Sequence, residues 1–236
     1  MLSTNQKLRE GIFTALDPQA IIDGVLNGKG SATHDYANDL YPEYNKKWDS
    51  EDYYNYDEAK AKQLIQESGY NGEELTLVTY NMSPYKEMAE VIQAYLQQVG
   101  VNVKIYPIEQ TQRDNVFAAT DSWDMFLITT LSMDYIVNCY TYLLDANNWN
   151  GATITHYKDS KFQSLLEAST AVDTHSQETV DAVHDYMVEQ AFARGLVVNN
   201  FYSIWKEGVT GIYTTHNGYV QPTSCIYSES WKSVAD

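Results

Sequence analysis

The sequence predicts an α/β fold whose mixed, mostly parallel sheet is flanked by helices. Two short apolar runs, residues 75–80 and 124–129, have the length and the β-branched or aromatic content of strands. A strongly amphipathic run over residues 84–99 separates the first of them from an alternating run at 101–105. Each connection is long enough for a helical crossover, so we expect the three strands to pair in parallel.

Composition sets limits on the function. The 236 residues suffice for a sizeable core. The balance of 15 basic against 32 acidic residues gives a formal net charge of −17, which argues against nucleic acid and anionic membrane surfaces as partners. The 20 tyrosines and 5 tryptophans suit a binding surface as well as a core.

Two compositional signals bear on location. No run reaches the roughly 18 apolar residues of a membrane span. Residues 1–5 lack the basic start and apolar core of a signal peptide. The chain is therefore expected to be either a cytosolic protein or an excerpt of a longer one.

The first quarter of the chain predicts two helices and a long loop. Leu8, Ile12 and Leu16 follow helical spacing, and Pro18 suits the first turn of a second helix that ends near Gly28. Residues 31–56 carry no clear period and hold many aromatic side chains. A stretch of this kind in a compact domain is functional or is a packed surface loop.

The next segments predict the first strand and its crossover. Asp57 is placed to cap a helix over residues 58–68, and Gly69 is placed to end it. An Asn-Gly turn then leads into the strand at 75–80. A helix opens near Pro84 and ends at Gly100. Its apolar stripe consists of Met88, Val91, Ile92, Tyr95, Leu96 and Val99.

The rest of the chain predicts more helix than strand. A helix near residues 109–119 precedes the strand at 124–129, and a short helix follows at about 136–145. Further helices are centred on Leu166 and Val183, and a strand begins near Gly195. From about residue 208 onwards no clear period is present.

This order of elements has a geometric consequence. The loop after the first strand, residues 80–83, and the loop after the third, residues 130–135, leave the same edge of the sheet. Ligands of open α/β sheets bind at this edge, outside the carboxyl ends of the strands. Asp134 is the carboxylate that this geometry places there. An alternative interpretation is that Asp134 caps the helix that follows, and the two roles are compatible.

Signatures of catalysis are few. No Gly-x-Ser-x-Gly elbow is present, and Gly28-Lys29-Gly30 lacks the context of a phosphate-binding loop. The five histidines are scattered along the chain. We therefore expect no catalytic residue, no metal ligand and no cofactor. Cys139 and Cys225 fit one disulfide or two thiols equally well.

A glycoside hydrolase that uses paired carboxylates remains an alternative. The acidic groups at residues 49–52 and 73–74 lie in turn-rich segments, where solvated charge explains them better. Neither group is placed by the geometry of the sheet.

Several motifs, taken in order, resemble a known family. They are Leu8-Arg9-Glu10-Gly11-Ile12 through Val25-Leu26-Asn27-Gly28, Tyr56-Asp57-Glu58-Ala59-Lys60 through Ser68-Gly69-Tyr70, Val91-Ile92-Gln93-Ala94 through Val99-Gly100-Val101-Asn102-Val103, Trp123-Asp124-Met125, and Met133-Asp134-Tyr135. Their order resembles that of family 5 extracellular solute-binding proteins, the oligopeptide-, dipeptide- and nickel-binding receptors of ABC importers.

The resemblance implies a particular architecture. Residues 1–207 would form the C-terminal, type II periplasmic-binding-protein-like lobe, and residues 208–236 a tail that returns toward an N-terminal lobe absent from this chain. The full-length parent would be an extracellular or periplasmic lipoprotein whose signal and anchor this chain lacks. It would act as a monomer without catalysing a reaction, and would pass a peptide or another small solute to the membrane permease of an ABC importer.

The resemblance also implies a site. In peptide-binding members, an Asp in an Ala-Asp-Tyr-type motif pairs with the α-ammonium group of the ligand, and Asp134 occupies that place. Leu131 stands where a Trp is common, and residues 136–138 replace the usual Asp-Pro, so side-chain preference does not carry over. Family relatives that bind sugars, nickel complexes or haem provide the alternative cargoes. The expected ligand-binding residues are Asp134, Tyr135, Met133, Leu131, Asn81 and Met82.

Overall fold

The computed structural model describes most of the chain. The described residues are 2–33, 36, 39, 41–51, 53–119, 122–129, 135–148, 159–200, 204, 206–207, 209–210 and 226–227. Its helices are α1 (Gln6–Thr14), α2 (Pro18–Gly24), α3 (Glu58–Glu67), α4 (Tyr85–Gln98), α5 (Arg113–Ala118), α6 (Ile136–Leu144), α7 (Ser160–Thr170) and α8 (Gln177–Glu189). Its strands are β1 (Ser31–Ala32), β2 (Leu75–Tyr80), β3 (Val103–Ile108), β4 (Met125–Phe126), β5 (Val197–Val198), β6 (Val209–Thr210) and β7 (Ile226–Tyr227). Short 3₁₀ helices span Leu2–Thr4, Lys46–Ser50 and Gln110–Gln112.

The predicted β-α-β-α-β unit is confirmed. A three-stranded sheet has the order β3-β2-β4, and β2 pairs in parallel with both neighbours. The helices α4 and α5 are the crossovers. Two further antiparallel pairs, β1 with β5 and β6 with β7, are separate from this sheet.

The central strand β2 is buried on both faces. Leu75 and Leu77 pack with the helices α1, α3 and α4 in the main apolar cluster. Val78 and Tyr80 point to the other face, where they join an apolar cluster that includes Phe117 of α5. The two-residue alternation of a strand therefore supplies two cores from one segment.

The helix before β2 begins and ends as its sequence predicts. The carboxylate of Asp57 accepts a hydrogen bond from the Lys60 amide at 2.9 Å, which caps α3. Gly69 follows the helix with φ of +74°, the left-handed conformation that glycine adopts without strain. Ala61 and Ile65 face the main cluster, and α1 packs against the same face of α3.

The sequence prediction for β4 is partly wrong. We expected a buried strand over residues 124–129, but only Met125 and Phe126 pair with β2, and both are half-buried. The reason is position, because β4 lies at an edge of the sheet. Hydrogen bonds from the Asp124 and Leu127 amides to carbonyls of β2, at 3.0 and 2.9 Å, extend the contact by one residue at each end.

The aperiodic stretch 31–56 is, in its described part, a packed loop. Tyr41 and Trp48 are 7% and 3% exposed, and they pack with α6, α7 and α8 in a second large cluster. Within that cluster, the Tyr41 hydroxyl lies 2.9 Å from Cys139 Sγ, and the Tyr140 hydroxyl lies 2.7 Å from His184 Nδ1. Tertiary contacts therefore hold a segment that has no regular secondary structure over most of its length.

A buried arginine, Arg9, joins α1 to the segment just after α8. The Arg9 guanidinium on α1 donates to the Gln190 carbonyl at 2.7 Å and to the Ala191 carbonyl at 3.2 Å, both just after α8. It also donates to the Leu2 and Ser3 carbonyls at 2.9 Å. Arg9 thus links α1, which packs in the main cluster, to the end of α8, which packs in the second.

No helix in the described ranges is both long and apolar enough to cross a membrane. Cys225 lies outside the described residues.

Candidate functional site

The candidate site is the edge of the sheet at which β2, β3 and β4 all end. The Asn81 amide, just after β2, donates to the carbonyl of Ile108, the last residue of β3, at 2.8 Å. The side-chain amide of Asn81 donates to Glu109 Oε1 at 3.1 Å. These contacts tie the loop after β2 to the start of the loop after β3.

A second contact ties the loop after β2 to the segment that leaves β4. The Tyr85 hydroxyl, at the start of α4, donates to Thr129 Oγ1 at 2.6 Å. The Thr79 hydroxyl donates to the Tyr85 carbonyl at 3.3 Å, which joins the start of α4 to β2. As the strand order predicts, the segments that follow β2 and β4 meet at one edge of the sheet.

Aromatic side chains form the floor beneath this edge. The ring of Phe117, which is 2% exposed, lies 4.3 Å from the ring of Phe126 and 6.3 Å from that of Trp123. Tyr80 stands edge-on to Tyr85 and Phe126, at 5.4 and 6.3 Å between ring centroids. The packing of these rings supports the polar groups at the sheet edge.

Arg113 supplies positive charge at this edge. Its Nε donates to Asp114 Oδ1 at 2.8 Å, and its guanidinium carbon lies 6.0 Å from the centre of the Phe117 ring. The charge of Arg113 also acts on the Tyr80 hydroxyl. The edge therefore carries hydrogen-bond donors, carboxylates and a cation, a mixture that suits a polar ligand with charged groups.

Burial raises the pKa of Tyr80, and the positive charge of Arg113 partly offsets this rise. The folded pKa lies above the unfolded value of about 10. The contribution of this hydroxyl to folding stability is therefore fully present below that pH, and it is lost as the pH rises through the folded pKa.

Replacing Arg113 with glutamine should raise the pKa of Tyr80 further, because the substitution removes the nearby cation. An NMR titration of ¹³C-labelled tyrosine would measure this pKa. The matched control is Lys104→Gln, which removes an exposed cation from β3. An unchanged pKa in the Arg113 variant would contradict the arrangement.

Of the six expected ligand-binding residues, Asn81, Met82 and Tyr135 are described. Asn81 lies at the sheet edge with its side-chain amide bonded to Glu109, and Met82 is 51% exposed beside it. Tyr135 is 49% exposed and is the N-cap residue of α6. Leu131, Met133 and Asp134 lie outside the described residues.

Sequence reasoning missed Tyr85, Arg113 and Thr129 at this edge. Tyr85 and Arg113 are the first residues of α4 and α5, the helices that follow β2 and β3. The rule that ligands bind beyond the carboxyl ends of parallel strands extends to the first residues of the crossover helices, and it would have identified both.

One residue of each acidic group considered for a hydrolase has another contact. Asp49 accepts a hydrogen bond from the Tyr44 hydroxyl at 2.7 Å, and Glu73 accepts one from the Asn71 amide at 3.1 Å. Asp124 accepts from the Thr76 amide at 2.9 Å, near the amino end of β2, and so lies at the opposite edge of the sheet. Within the described ranges, no three His, Cys, Asp or Glu residues cluster as metal ligands would.

A cavity of about 560 Å³ lies elsewhere, between α1, α3 and α8. Its lining includes Glu10, Tyr53, Tyr54 and Glu189. None of its lining residues belongs to the sheet or to the loops beyond it, so the cavity is separate from the site at the sheet edge.

Comparison with known proteins bears on what such an edge binds. Residues 2–151 match the family model for bacterial extracellular solute-binding proteins, family 5 middle. The oligopeptide-binding protein AppA of Bacillus subtilis is 25% identical over 191 residues, which are 75% of this chain and 35% of that protein. Heme-binding protein A of Haemophilus influenzae is 30% identical over 183 residues, 74% of this chain and 32% of that protein.

Solved structures agree on the fold. HbpA2 from Haemophilus parasuis superimposes with a TM-score of 0.74 at 22% identity, over 95% of this chain and 45% of that one. The dipeptide-binding protein from Pseudoalteromonas sp. SM9913, in complex with Met-Leu, gives a TM-score of 0.73 at 18% identity. The match covers 95% of this chain and 46% of that one. These matches confirm the type II periplasmic-binding-protein-like fold. The chain spans about a third of the length of the curated relatives and under half of these two structures.

Proposed function

This chain belongs to the bacterial extracellular solute-binding proteins of family 5, and from that premise we propose that it is the C-terminal ligand-binding lobe of a receptor that supplies peptides to an ABC importer. The observation that carries the proposal is the meeting of the loops after β2 and β4 at one edge of the sheet, through the hydrogen bond between Tyr85 and Thr129. The sequence that continues from Thr129 contains Asp134.

In this proposal, the carboxylate of Asp134 accepts charge-assisted hydrogen bonds from the α-ammonium group of the peptide. Leu131, Met133 and Tyr135 form the wall of the site, and Asn81 and Met82 contact the ligand from the neighbouring loop. The exposure of Met82 and Tyr135 supports these roles, because both side chains are accessible to a ligand. The peptide names of several relatives, including AppA and a dipeptide-binding protein of Pseudomonas aeruginosa, also support a peptide cargo.

We assign the lobe to residues 1–207 and the returning tail to residues 208–236. The whole receptor would act as a monomer, without catalysis, outside the cytoplasmic membrane and anchored there as a lipoprotein. Its second partner would be the permease of the importer. The formal charge of −17 in this chain is consistent with a soluble receptor that avoids nucleic acid and anionic membranes.

A different solute is the second candidate. It is favoured by the haem-binding name of the 30% identical relative and by structural neighbours described with Ni(L-His)₂ or agropinic acid. The 20 tyrosines and 5 tryptophans of the chain also suit a sugar ligand.

A panel of ligands on the full-length receptor tests the proposal. Di- to pentapeptides should raise the Tm in differential scanning fluorimetry, because a ligand that binds only the folded state stabilises it. Sugars, haem and nickel complexes should not. The full-length protein is required because a two-lobed receptor buries its ligand from both sides, and we expect this lobe alone to bind weakly. Stabilisation by one of the other solutes alone would replace peptide with that cargo.

A further inference from the structure

The start of α6 requires a partner from elsewhere in the chain. The first N–H groups of a helix have no acceptor within it. Ile136 and Val137, the first two residues of α6, are 1% and 4% exposed, so water has little access to their amides. The N-cap residue Tyr135 makes no side-chain capping bond. A buried helix start of this kind needs an acceptor from another segment.

Glu43 provides that acceptor. Glu43 is 7% exposed, and its Oε2 accepts a hydrogen bond from the Val137 amide at 3.4 Å. A negative charge at this position also interacts favourably with the dipole of the helix. Glu43 lies in the packed loop between β1 and α3, 94 residues before Val137. The contact is therefore tertiary rather than local.

Glu43 is itself held from the side of α8. Its Oε1 lies 3.2 Å from Nε2 of His175, in the turn between α7 and α8, and its carbonyl accepts from the Gln177 side chain at 3.0 Å. Nδ1 of the same histidine lies 2.7 Å from the Ser169 carbonyl. Both ring nitrogens of His175 thus lie close to oxygen atoms, one of the Glu43 carboxylate and one of the Ser169 carbonyl.

We propose that Glu43, supported by His175, is a positioning residue for Tyr135, the ligand-binding residue directly before α6. The inference rests on the proposed function, which assigns Asp134 and Tyr135 to the ligand. Further along α6, Tyr140 is fully buried and bonded to His184, so core packing holds the middle of the helix. Glu43 fixes the first turn of α6, and with it the position of Tyr135. Glu43 acts through the helix and does not touch the ligand.

The test compares two caps in the full-length receptor. Glu43→Ala removes the acceptor at α6, whereas Asp57→Ala removes the cap of α3, which contributes no residue to the proposed site. Both substitutions should lower the Tm. Only Glu43→Ala should weaken binding of a peptide that the wild type binds, by about tenfold in calorimetry. Glu43→Gln keeps an oxygen for the Val137 amide, and it should fall between the wild type and Glu43→Ala. An equal loss of affinity in the two alanine variants, or no loss in either, would overturn the inference.

Hydrogen exchange provides a measurement that does not depend on the ligand. In the unliganded receptor, the amides of residues 137–139 should exchange faster in Glu43→Ala, and those near His184 should not. Unchanged exchange at 137–139 would overturn the positioning role. If the wild-type receptor bound no peptide, the proposed function would fail, and the exchange result would still decide whether Glu43 holds the start of α6.

Discussion

Replacing Asp134 with alanine in the full-length receptor should weaken peptide binding about 30-fold or more. Removing one partner of a desolvated charge pair typically costs about 2–5 kcal/mol, because the other charge is left buried without compensation. Isothermal titration calorimetry with a single peptide would measure the loss. The matched control is Asp23→Ala, which removes an exposed carboxylate on α2 that bonds only to Gln19 among the described contacts.

A modified ligand separates the amine anchor from other effects of the substitution. An N-acetylated peptide lacks the α-ammonium charge, so the wild-type receptor should bind it much more weakly than the free peptide. The Asp134→Ala variant should bind the two peptides with similar affinity, because the group that distinguishes them is absent. Unchanged affinity of this variant for the free peptide would show that the amine is recognised elsewhere.

Replacing Phe117 with alanine should cost about 3–5 kcal/mol of folding stability, the usual range for a phenylalanine removed from a core. Phe117 is 2% exposed and contacts Phe126 and Trp123 beneath the sheet edge. The neighbouring Trp123 should not move into the space that the substitution leaves, because its indole donates a hydrogen bond to the Val116 carbonyl at 3.0 Å. Urea denaturation followed by circular dichroism would measure the free energy of unfolding.

The control for Phe117 is Tyr106→Ala on β3. Tyr106 is 47% exposed, so its truncation should cost well under half as much. Equal losses for the two variants would mean that the cluster under the sheet edge contributes little to stability, and that the floor of the site is less rigid than its packing implies.

The parts of the fold that the sequence predicts are those with local signals. The strand Leu75–Tyr80 has the predicted bounds, and α3 begins after Asp57 and ends before Gly69 as expected. Each depends on residues close in the chain: a cap, a left-handed glycine, or an apolar run bounded by a turn. Such signals involve only a few neighbouring residues, so they can be recognised from the sequence alone.

The parts that escape prediction depend on long-range contacts. The edge position of β4 follows from the strand order, which its own residues do not encode. The burial of Tyr41 and Trp48 could not be predicted, because their segment has no helical or strand period. The helices on which they pack lie much later in the chain. The same holds for Glu43, whose role depends on Val137 and His175. For the site, strand ends predict the place of Asn81 and Met82, but not the cation that Arg113 brings from α5.

The hydrogen bonds of Arg9 have a mechanical consequence for the two large apolar clusters. Its guanidinium connects the two large apolar clusters through bonds to the Gln190 and Ala191 carbonyls. Sliding one cluster past the other would strip a buried charge of these acceptors, at a cost of several kcal/mol. The two clusters are therefore expected to move together, as one stiff body.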